Sequence, residues 1–208
     1  MGLVTIDEVM AMAPVIPVLV LDGTIDPAAL AETFVSAGLP VLEVTLRTPQ
    51  ALGAIRAMAN VPGAIVGAGT VLDPSQLDEA LEAGAQFIVT PGLTGPLSRA
   101  AIASGLPYLP GVATAGDIMR GLDLGLGRFK FFPAEAAGGL PALKALAAPF
   151  SGVRFCPTGG IRPDTAALWL SHPAVPCVGG SWLLPPGETD LNKIEDLARG
   201  AVSLWRNP

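Results

Sequence analysis

Short apolar runs alternate with amphipathic stretches along the whole chain, as expected when each β-strand is followed by a helix. The apolar runs predict eight strands, at residues 15–21, 40–46, 64–71, 87–91, 107–112, 128–133, 154–158 and 177–182. The stretches that follow them predict eight helices, at residues 27–37, 49–59, 74–83, 93–104, 115–124, 140–148, 163–170 and 191–205. A further short amphipathic helix is predicted at residues 5–13, with Thr5 as its N-cap.

Proline and glycine support these boundaries. Pro27 and Pro74 stand at the first position of predicted helices, and Gly38 and Gly84 follow the last position, where a left-handed residue ends many helices. Eight strands alternating with eight helices predict an α/β fold, a (β/α)8 TIM barrel with a short N-terminal helix. A doubly wound open sheet is the alternative, but the count of eight and the polar strand ends favour the barrel. No linker interrupts the pattern, so residues 1–208 are expected to form one domain.

A lysine stands between phenylalanines in the strand predicted at 128–133. Because side chains alternate along a strand, Phe129 and Phe131 would face the helices and Lys130 the barrel interior. Burial disfavours a charged ammonium, and a neutral amine is the form that attacks a carbonyl to give a Schiff base. The alternative is a surface lysine on an edge strand, and this strand alone does not decide between them.

The strand predicted at 40–46 carries charge on one face only. Leu42 and Val44 share the face that suits packing against helices, whereas Glu43 and Arg47 share the other face with Thr45. Burying an ion pair costs free energy unless the pair is well hydrogen-bonded, so charged residues on the inner face require either a functional or a structural explanation. The functional interpretation is a carboxylate for proton transfer and a guanidinium that binds an anion. The structural alternative is a salt bridge inside the barrel.

Other strand ends carry candidate ligand-binding residues. Thr70 follows a glycine-rich strand end and can donate a hydroxyl, although the alternation there leaves its direction open. Pro91 lies in a segment that would form either a pocket wall or a simple turn. Gly159-Gly160 follows the seventh predicted strand and Gly179-Gly180 lies in the eighth, where such barrels commonly bind phosphate through backbone amides. Tight turns without a ligand are the alternative.

Composition narrows the class of partner. Half of the 208 residues are hydrophobic and 14% are charged, which predicts a large core and excludes a disordered chain. The net charge of −6 argues against nucleic acid or an anionic membrane as the main partner. No apolar run has the length of a membrane helix and no signal peptide is evident, so a cytoplasmic location is expected.

The inventory of reactive side chains limits the chemistry. The single histidine, His172, lies at a predicted helix end, so acid–base catalysis would fall to a carboxylate. Cys156 and Cys177 lie in apolar strand-like settings and are expected to be packed, reduced thiols. Neither has the spacing of a metal site, so no metal and no cofactor are expected.

Six segments, in this order, closely resemble the 2-keto-3-deoxy-6-phosphogluconate (KDPG) and 4-hydroxy-2-oxoglutarate (KHG) aldolases. They are residues 42–48, 66–72, 91–94, 129–135, 154–161 and 179–182. The resemblance runs from about Pro14 to Leu184. It implies a class I aldolase on a small (β/α)8 barrel that assembles as a homotrimer. One departure is Asp22-Gly23-Thr24, where some members of the family are basic.

The resemblance also implies roles for individual residues. Lys130 corresponds to the Schiff-base lysine, and Glu43 corresponds to the proton-transferring glutamate. The positions that correspond to substrate-binding residues are Arg47 and Thr70 for the carboxylate, Thr158 for the aldehyde part, and Gly159, Gly160 and Ser181 for the phosphate. Arg47 favours the gluconate type over the branch that acts on the galactonate isomer.

The expected reaction is cleavage of 2-dehydro-3-deoxy-6-phosphogluconate to pyruvate and glyceraldehyde 3-phosphate. 4-Hydroxy-2-oxoglutarate, which would give pyruvate and glyoxylate, is a second candidate substrate, and the sequence does not decide which matters more. The iminium would serve as electron sink in place of a metal. The alternatives are a non-covalent phosphosugar isomerase or epimerase, and a ligand-binding barrel in which Glu43 and Lys130 merely pair.

Overall fold

The computed structural model describes residues 4–205 of the chain. Within them, the helices are α1 Ile6–Ala11, α2 Pro27–Ala37, α3 Ala51–Met58, α4 Pro74–Glu82, α5 Gly95–Ala103, α6 Ala115–Asp123, α7 Gly139–Ala147, α8 Pro163–Leu170 and α9 Leu191–Val202. The strands are β1 Val15–Leu19, β2 Val41–Thr45, β3 Ile65–Gly69, β4 Phe87–Val89, β5 Tyr108–Leu109, β6 Gly111–Val112, β7 Arg128–Phe131, β8 Arg154–Pro157 and β9 Val178–Gly180. The predicted alternation of strand and helix is therefore confirmed.

One predicted strand is divided in two. The strand expected at 107–112 is interrupted at Pro110, which separates β5 from β6. Proline has no amide hydrogen to donate, although the carbonyl of Pro110 still accepts a bond from the Lys130 amide at 2.9 Å. The last predicted strand also ends early, because Ser181–Leu183 forms a 3-10 turn.

Within residues 4–205, the paired strands are all parallel and lie in two sheets. One has the order β5-β4-β3-β2-β1-β9 and the other the order β6-β7-β8. Consecutive strands from β1 to β5 are neighbours and the last strand pairs with the first, without the reversal that defines a doubly wound sheet. A single bridge joins Thr158, just after β8, to Gly179 of β9.

The phenylalanines of β7 pack against helices, as the alternation predicts. Phe129 and Phe131 are fully buried, and the Phe131 ring lies 6.3 Å from that of Trp169 on α8. A methyl group at Gly121 of α6 would lie 2.3 Å from Phe129, so the ring occupies the space that this glycine leaves. Lys130 is thereby turned to the opposite face of β7.

A second buried cluster combines α1 with the strands. Val9 and Met10 of α1 pack with Ile16, Cys156 and Cys177, among others. The helix begins as predicted, because the Thr5 hydroxyl accepts from the Glu8 amide at 3.2 Å while the Glu8 carboxylate accepts from the Thr5 amide at 2.7 Å.

Both cysteines are buried and reduced, as predicted. A hydrogen bond with Cys156 and complete burial hold the pKa of the Cys177 thiol well above its usual range. This neutral thiol belongs to the apolar packing. Residues 4–205 bring together no group of three potential metal ligands from histidine, cysteine, aspartate and glutamate. None of their helices has the length and apolar character required to cross a membrane.

Candidate active site

A buried ion pair connects two strands in the interior of the protein. Lys130 Nζ on β7 is 2.9 Å from Glu43 Oε1 on β2, and the two residues are only 5% and 3% exposed. The two strands belong to different sheets, so the pair spans the space between them. Lys130 is therefore not the surface lysine of the alternative interpretation, since β7 lies between β6 and β8.

The surroundings of this pair make proton exchange possible. A proton can pass along the 2.9 Å hydrogen bond from the ammonium to the carboxylate, which leaves a neutral amine and a carboxylic acid. Lys130 Nζ also lies 5.5 Å from the centre of the Phe132 ring, a distance at which the ring face stabilises the cation. We call Lys130 and Glu43 the reaction pair.

Gly69 makes room for the carboxylate of the pair. A methyl group at this position would lie 2.2 Å from Glu43 Oε1, far inside van der Waals contact. Gly69 pairs with Thr45 in the ladder between β2 and β3, which brings the two strands together beside Glu43. The Gly67-Ala68-Gly69 pattern in the sequence indicates that another group packs closely against this strand. The structure identifies that group as the carboxylate of Glu43.

Arg47 lies two residues beyond the end of β2. β2 ends at Thr45, whose hydroxyl donates to the Leu19 carbonyl at 2.9 Å, and Arg47 follows in a turn as an exposed residue. Because β2 ends before Arg47, the alternation of side chains along the strand does not determine which way Arg47 faces, and its place beside Glu43 stays a prediction. The structural alternative, a buried pair of Glu43 with Arg47, is wrong, because Glu43 pairs with Lys130 and Arg47 is exposed.

Thr70 adopts an unusual backbone conformation directly after β3. Its φ of +59° lies in the left-handed region, which a β-branched residue rarely enters. Such a conformation costs on the order of 1–3 kcal/mol and is concentrated at functional sites. Thr70 is half-buried at the carboxyl end of the sheet, on the strand next to that of Glu43.

The loop that holds Pro91 is fixed from two sides. The buried Thr90 hydroxyl donates to the Gly92 carbonyl at 2.7 Å and lies 3.2 Å from the Tyr108 hydroxyl. A methyl group at Gly111 would lie 2.1 Å from the Pro91 carbonyl oxygen, so β6 runs directly against this loop. Pro91 itself is half-buried.

The two Gly-Gly pairs have different structures. Gly159 and Gly160 form a turn with φ of +105° and +81°, conformations that glycine adopts without strain. Within residues 4–205, neither of their amides donates a hydrogen bond to the protein. Gly179 and Gly180 are instead buried in β9. We call Gly159-Gly160 the glycine turn.

Gly179 contributes space rather than a turn. A methyl group there would lie 2.3 Å from the Thr158 hydroxyl oxygen, which donates to the Cys156 carbonyl at 3.4 Å. Thr158 is 6% exposed and precedes the glycine turn. Ser181, which follows β9, is exposed. The structure thus brings Thr158 beside Gly179 through the bridge between these two residues.

A cavity of about 320 Å3 lies at the carboxyl ends of β1 and β9, next to Ser181. Asp22 and Glu188 contribute carboxylates to its lining, and Val18 contributes apolar surface. Hydrogen bonds from the hydroxyl and amide of Thr24 hold the pKa of Asp22 below its usual range, so Asp22 carries a charge there. The segment that departs from the family pattern therefore borders this cavity.

Comparison with known proteins identifies the family. The family model described as KDPG and KHG aldolase matches residues 6–197. The chain is 58% identical over 201 residues to the 2-dehydro-3-deoxy-phosphogluconate aldolase of Zymomonas mobilis, covering 97% of each protein. It is 52% identical over 200 residues to the KHG/KDPG aldolase of Escherichia coli, covering 94% of each.

Solved structures agree with this assignment. The 2-keto-3-deoxy-6-phosphogluconate aldolase of Zymomonas mobilis, crystallised with 3-phosphoglycerate, has a TM-score of 0.95 and 56% identity, covering 99% of this chain and 98% of the other. The KDPG aldolase of Legionella pneumophila, with pyruvate captured as a covalent carbinolamine, has a TM-score of 0.90 and 42% identity, covering 96% and 98%. The chain belongs to the KDPG and KHG aldolase family.

Proposed function

We propose that this chain is a class I aldolase that cleaves 2-dehydro-3-deoxy-6-phosphogluconate to pyruvate and glyceraldehyde 3-phosphate. The observation that carries the proposal is the buried reaction pair, with Lys130 Nζ 2.9 Å from a carboxylate oxygen. The names of the relatives and the pyruvate carbinolamine held by the Legionella protein support the same chemistry.

The first half of the reaction forms a Schiff base. Glu43 takes the ammonium proton, and the neutral amine of Lys130 attacks C2 of the keto acid to give a carbinolamine. The protonated Glu43 then supplies the proton with which the carbinolamine hydroxyl leaves as water. The resulting iminium withdraws electrons from C3 more strongly than the ketone did.

The second half breaks the carbon–carbon bond. Glu43, again a carboxylate, takes the proton of the C4 hydroxyl, and the C3–C4 electron pair moves toward the iminium to leave an enamine on Lys130. The aldehyde departs. Glu43 returns its proton to C3, and water hydrolyses the iminium to release pyruvate and regenerate the ammonium of Lys130 beside the Glu43 carboxylate. Protons and electrons balance without a metal or a cofactor.

The remaining candidate residues would bind the substrate. Arg47 and Thr70 would hold the carboxylate at the ends of β2 and β3, and Pro91 would wall the pocket. Thr158 would face the aldehyde part, with Gly179 giving its hydroxyl room. Gly180, next to Ser181, would line the substrate site near the phosphate. The glycine turn and Ser181 would bind the phosphate, since turn amides without protein partners are suited to an anion.

The finer architecture belongs to the same proposal. We infer that β1 to β9 close into one (β/α)8 barrel, in which β5 and β6 count as one strand broken at Pro110 and the Thr158–Gly179 bridge joins the last two strands. The ion pair between β2 and β7 supports this closure. We also expect a homotrimer, with exposed apolar residues such as Leu72 and Leu168 as candidates for burial. Sedimentation should then give three times the 21.1 kDa of one chain.

Pyruvate release tests the proposal. The purified protein should cleave 2-dehydro-3-deoxy-6-phosphogluconate at a rate that a chelator leaves unchanged, and 4-hydroxy-2-oxoglutarate should also give pyruvate. An isomerase or epimerase would convert a phosphosugar without releasing pyruvate, and a binding barrel would bind the keto acid unchanged. Either result, or inactivation by the chelator, would contradict the proposed reaction.

A further inference from the structure

Glu135 connects the segment that follows β7 to the glycine turn. Its backbone amide donates to the Gly159 carbonyl at 3.0 Å. A methyl group at Gly160 would lie 2.8 Å from its Cβ and Cγ, so the stem of Glu135 packs against the second glycine as well. One residue therefore contacts both glycines of the turn.

The Glu135 carboxylate is also tied to the helix that follows the turn. The indole nitrogen of Trp169, on α8, donates to Glu135 Oε1 at 3.0 Å. Trp169 is only 2% exposed, and its ring packs 6.3 Å from that of Phe131 on β7. Because the turn leads directly into α8, the bond links that helix to the segment that follows β7, the strand that carries Lys130.

A carboxylate beside an anion site would ordinarily repel the anion. Here the negative charge is engaged by other groups. The Trp169 donor binds one oxygen, and the other faces Gly139 at the first residue of α7, where the helix dipole favours negative charge. Asp164, and more weakly Glu135, raise the pKa of the Arg162 guanidinium, which places a cation near this carboxylate too.

We propose that Glu135 is a positioning residue for the anion site, held by Trp169, and that it keeps the glycine turn in the conformation that presents its amides to a phosphate. Glu135 forms no hydrogen bond or ion pair with Lys130 or Glu43, so its effect should reach only the phosphorylated end of a substrate. The inference rests on the proposed function, since the anion is taken to be the phosphate of the six-carbon substrate.

Substitutions that break the Trp169–Glu135 bond test the inference. Trp169→Phe removes the donor and keeps an aromatic ring, and Glu135→Ala removes the acceptor. Both should raise KM for 2-dehydro-3-deoxy-6-phosphogluconate about tenfold, the effect of losing a hydrogen bond to a charged group. KM for the unphosphorylated 4-hydroxy-2-oxoglutarate, and kcat for both substrates, should change less than about twofold. Glu135→Gln, whose amide oxygen still accepts, should restore KM.

A second probe does not depend on turnover. Inorganic phosphate should bind Trp169→Phe about tenfold more weakly than the wild type by titration calorimetry. Trp205→Phe is the matched control, since Trp205 lines a separate surface depression with Ala11 and Pro14. It should leave phosphate binding and both KM values unchanged.

Specific outcomes would overturn the inference. Equal losses with both substrates would show a general structural role, and unchanged phosphate binding in Trp169→Phe would show that Glu135 does not position the turn. Absence of phosphate binding to the wild type would remove the anion site itself. Failure of the proposed function has a different signature, namely a wild type that releases no pyruvate from either keto acid.

Discussion

The reaction pair and the glycine turn place their functional groups in opposite ways. Lys130 and Glu43 are side chains in the middle of strands, almost fully buried, and each is held opposite the other by a strand on either side. Gly159 and Gly160 contribute only backbone amides, and Gly160 is exposed at the end of the strands. The pair can therefore be altered by changing one functional group, whereas the turn is altered only through its conformation.

The largest effect should come from Lys130→Arg. The guanidinium retains the positive charge beside Glu43 but does not act as a nucleophile, so turnover of both substrates should fall at least about 10⁴-fold. Lys144→Arg, at an exposed helical position, is the control and should keep full activity. Substantial pyruvate release by Lys130→Arg, measured with a coupled assay, would contradict the covalent mechanism.

Glu43→Gln should have the next largest effect. Loss of the acid–base group is expected to lower kcat by about 10²–10⁴-fold with both substrates. Trapping of a pyruvate imine on Lys130 should survive better than turnover, because the nucleophile remains. Comparison of trapping yield with kcat, alongside the exposed Glu79→Gln as control, distinguishes a lost proton-transfer group from a lost site.

Gly69→Ala should disturb the pair without changing its chemistry. The added methyl, 2.2 Å from Glu43 Oε1 in the present geometry, must displace the carboxylate. We expect kcat to fall about tenfold or more with both substrates, and the free energy of unfolding to fall by about 1–3 kcal/mol. Gly53→Ala, where the structure leaves open space, should keep the wild-type kcat in the same assay. A wild-type kcat in Gly69→Ala would mean that Glu43 needs no fixed position.

Gly159→Ala should have the smallest and most selective effect. A side chain at φ +105° strains the turn by about 1–2 kcal/mol, so KM for the phosphorylated substrate should rise several-fold while that for 4-hydroxy-2-oxoglutarate changes little. Gly105→Ala introduces similar strain at φ +76° after α5, and should lower stability without changing either KM. If Gly159→Ala raised KM equally for the phosphorylated substrate and for 4-hydroxy-2-oxoglutarate, the glycine turn would not be specific for the phosphate.

The same contrast explains what could be predicted from the sequence. Side-chain alternation along β2 and β7 correctly predicts that Glu43 and Lys130 point into the protein interior, because successive side chains of a strand point to opposite faces. The same alternation does not reach Arg47, because β2 ends at Thr45, so the direction of the Arg47 side chain stays a prediction. The break at Pro110 was not predicted. A proline interrupts a strand where its missing amide hydrogen would have bonded to a neighbouring strand, and the sequence alone does not identify that neighbour.

Backbone conformation and close approach were harder to predict. Both Gly-Gly pairs look alike in the sequence, yet one is a left-handed turn and the other lies within β9. Glu135 lies five residues after Lys130 in the sequence, but the positioning role proposed for it depends on a contact with Trp169, 34 residues later in the chain. Such contacts across the fold carry no local signal in the sequence.

Borohydride trapping of the Schiff base is the most direct test of the central claim. The chain has three lysines, Lys130, Lys144 and Lys193, and the last two are exposed on helices. After incubation with pyruvate and borohydride, peptide mapping by mass spectrometry should find the reduced pyruvyl adduct on Lys130 alone. An adduct on Lys144 or Lys193 instead, or a folded protein without any adduct, would contradict the assignment of Lys130 as the nucleophile.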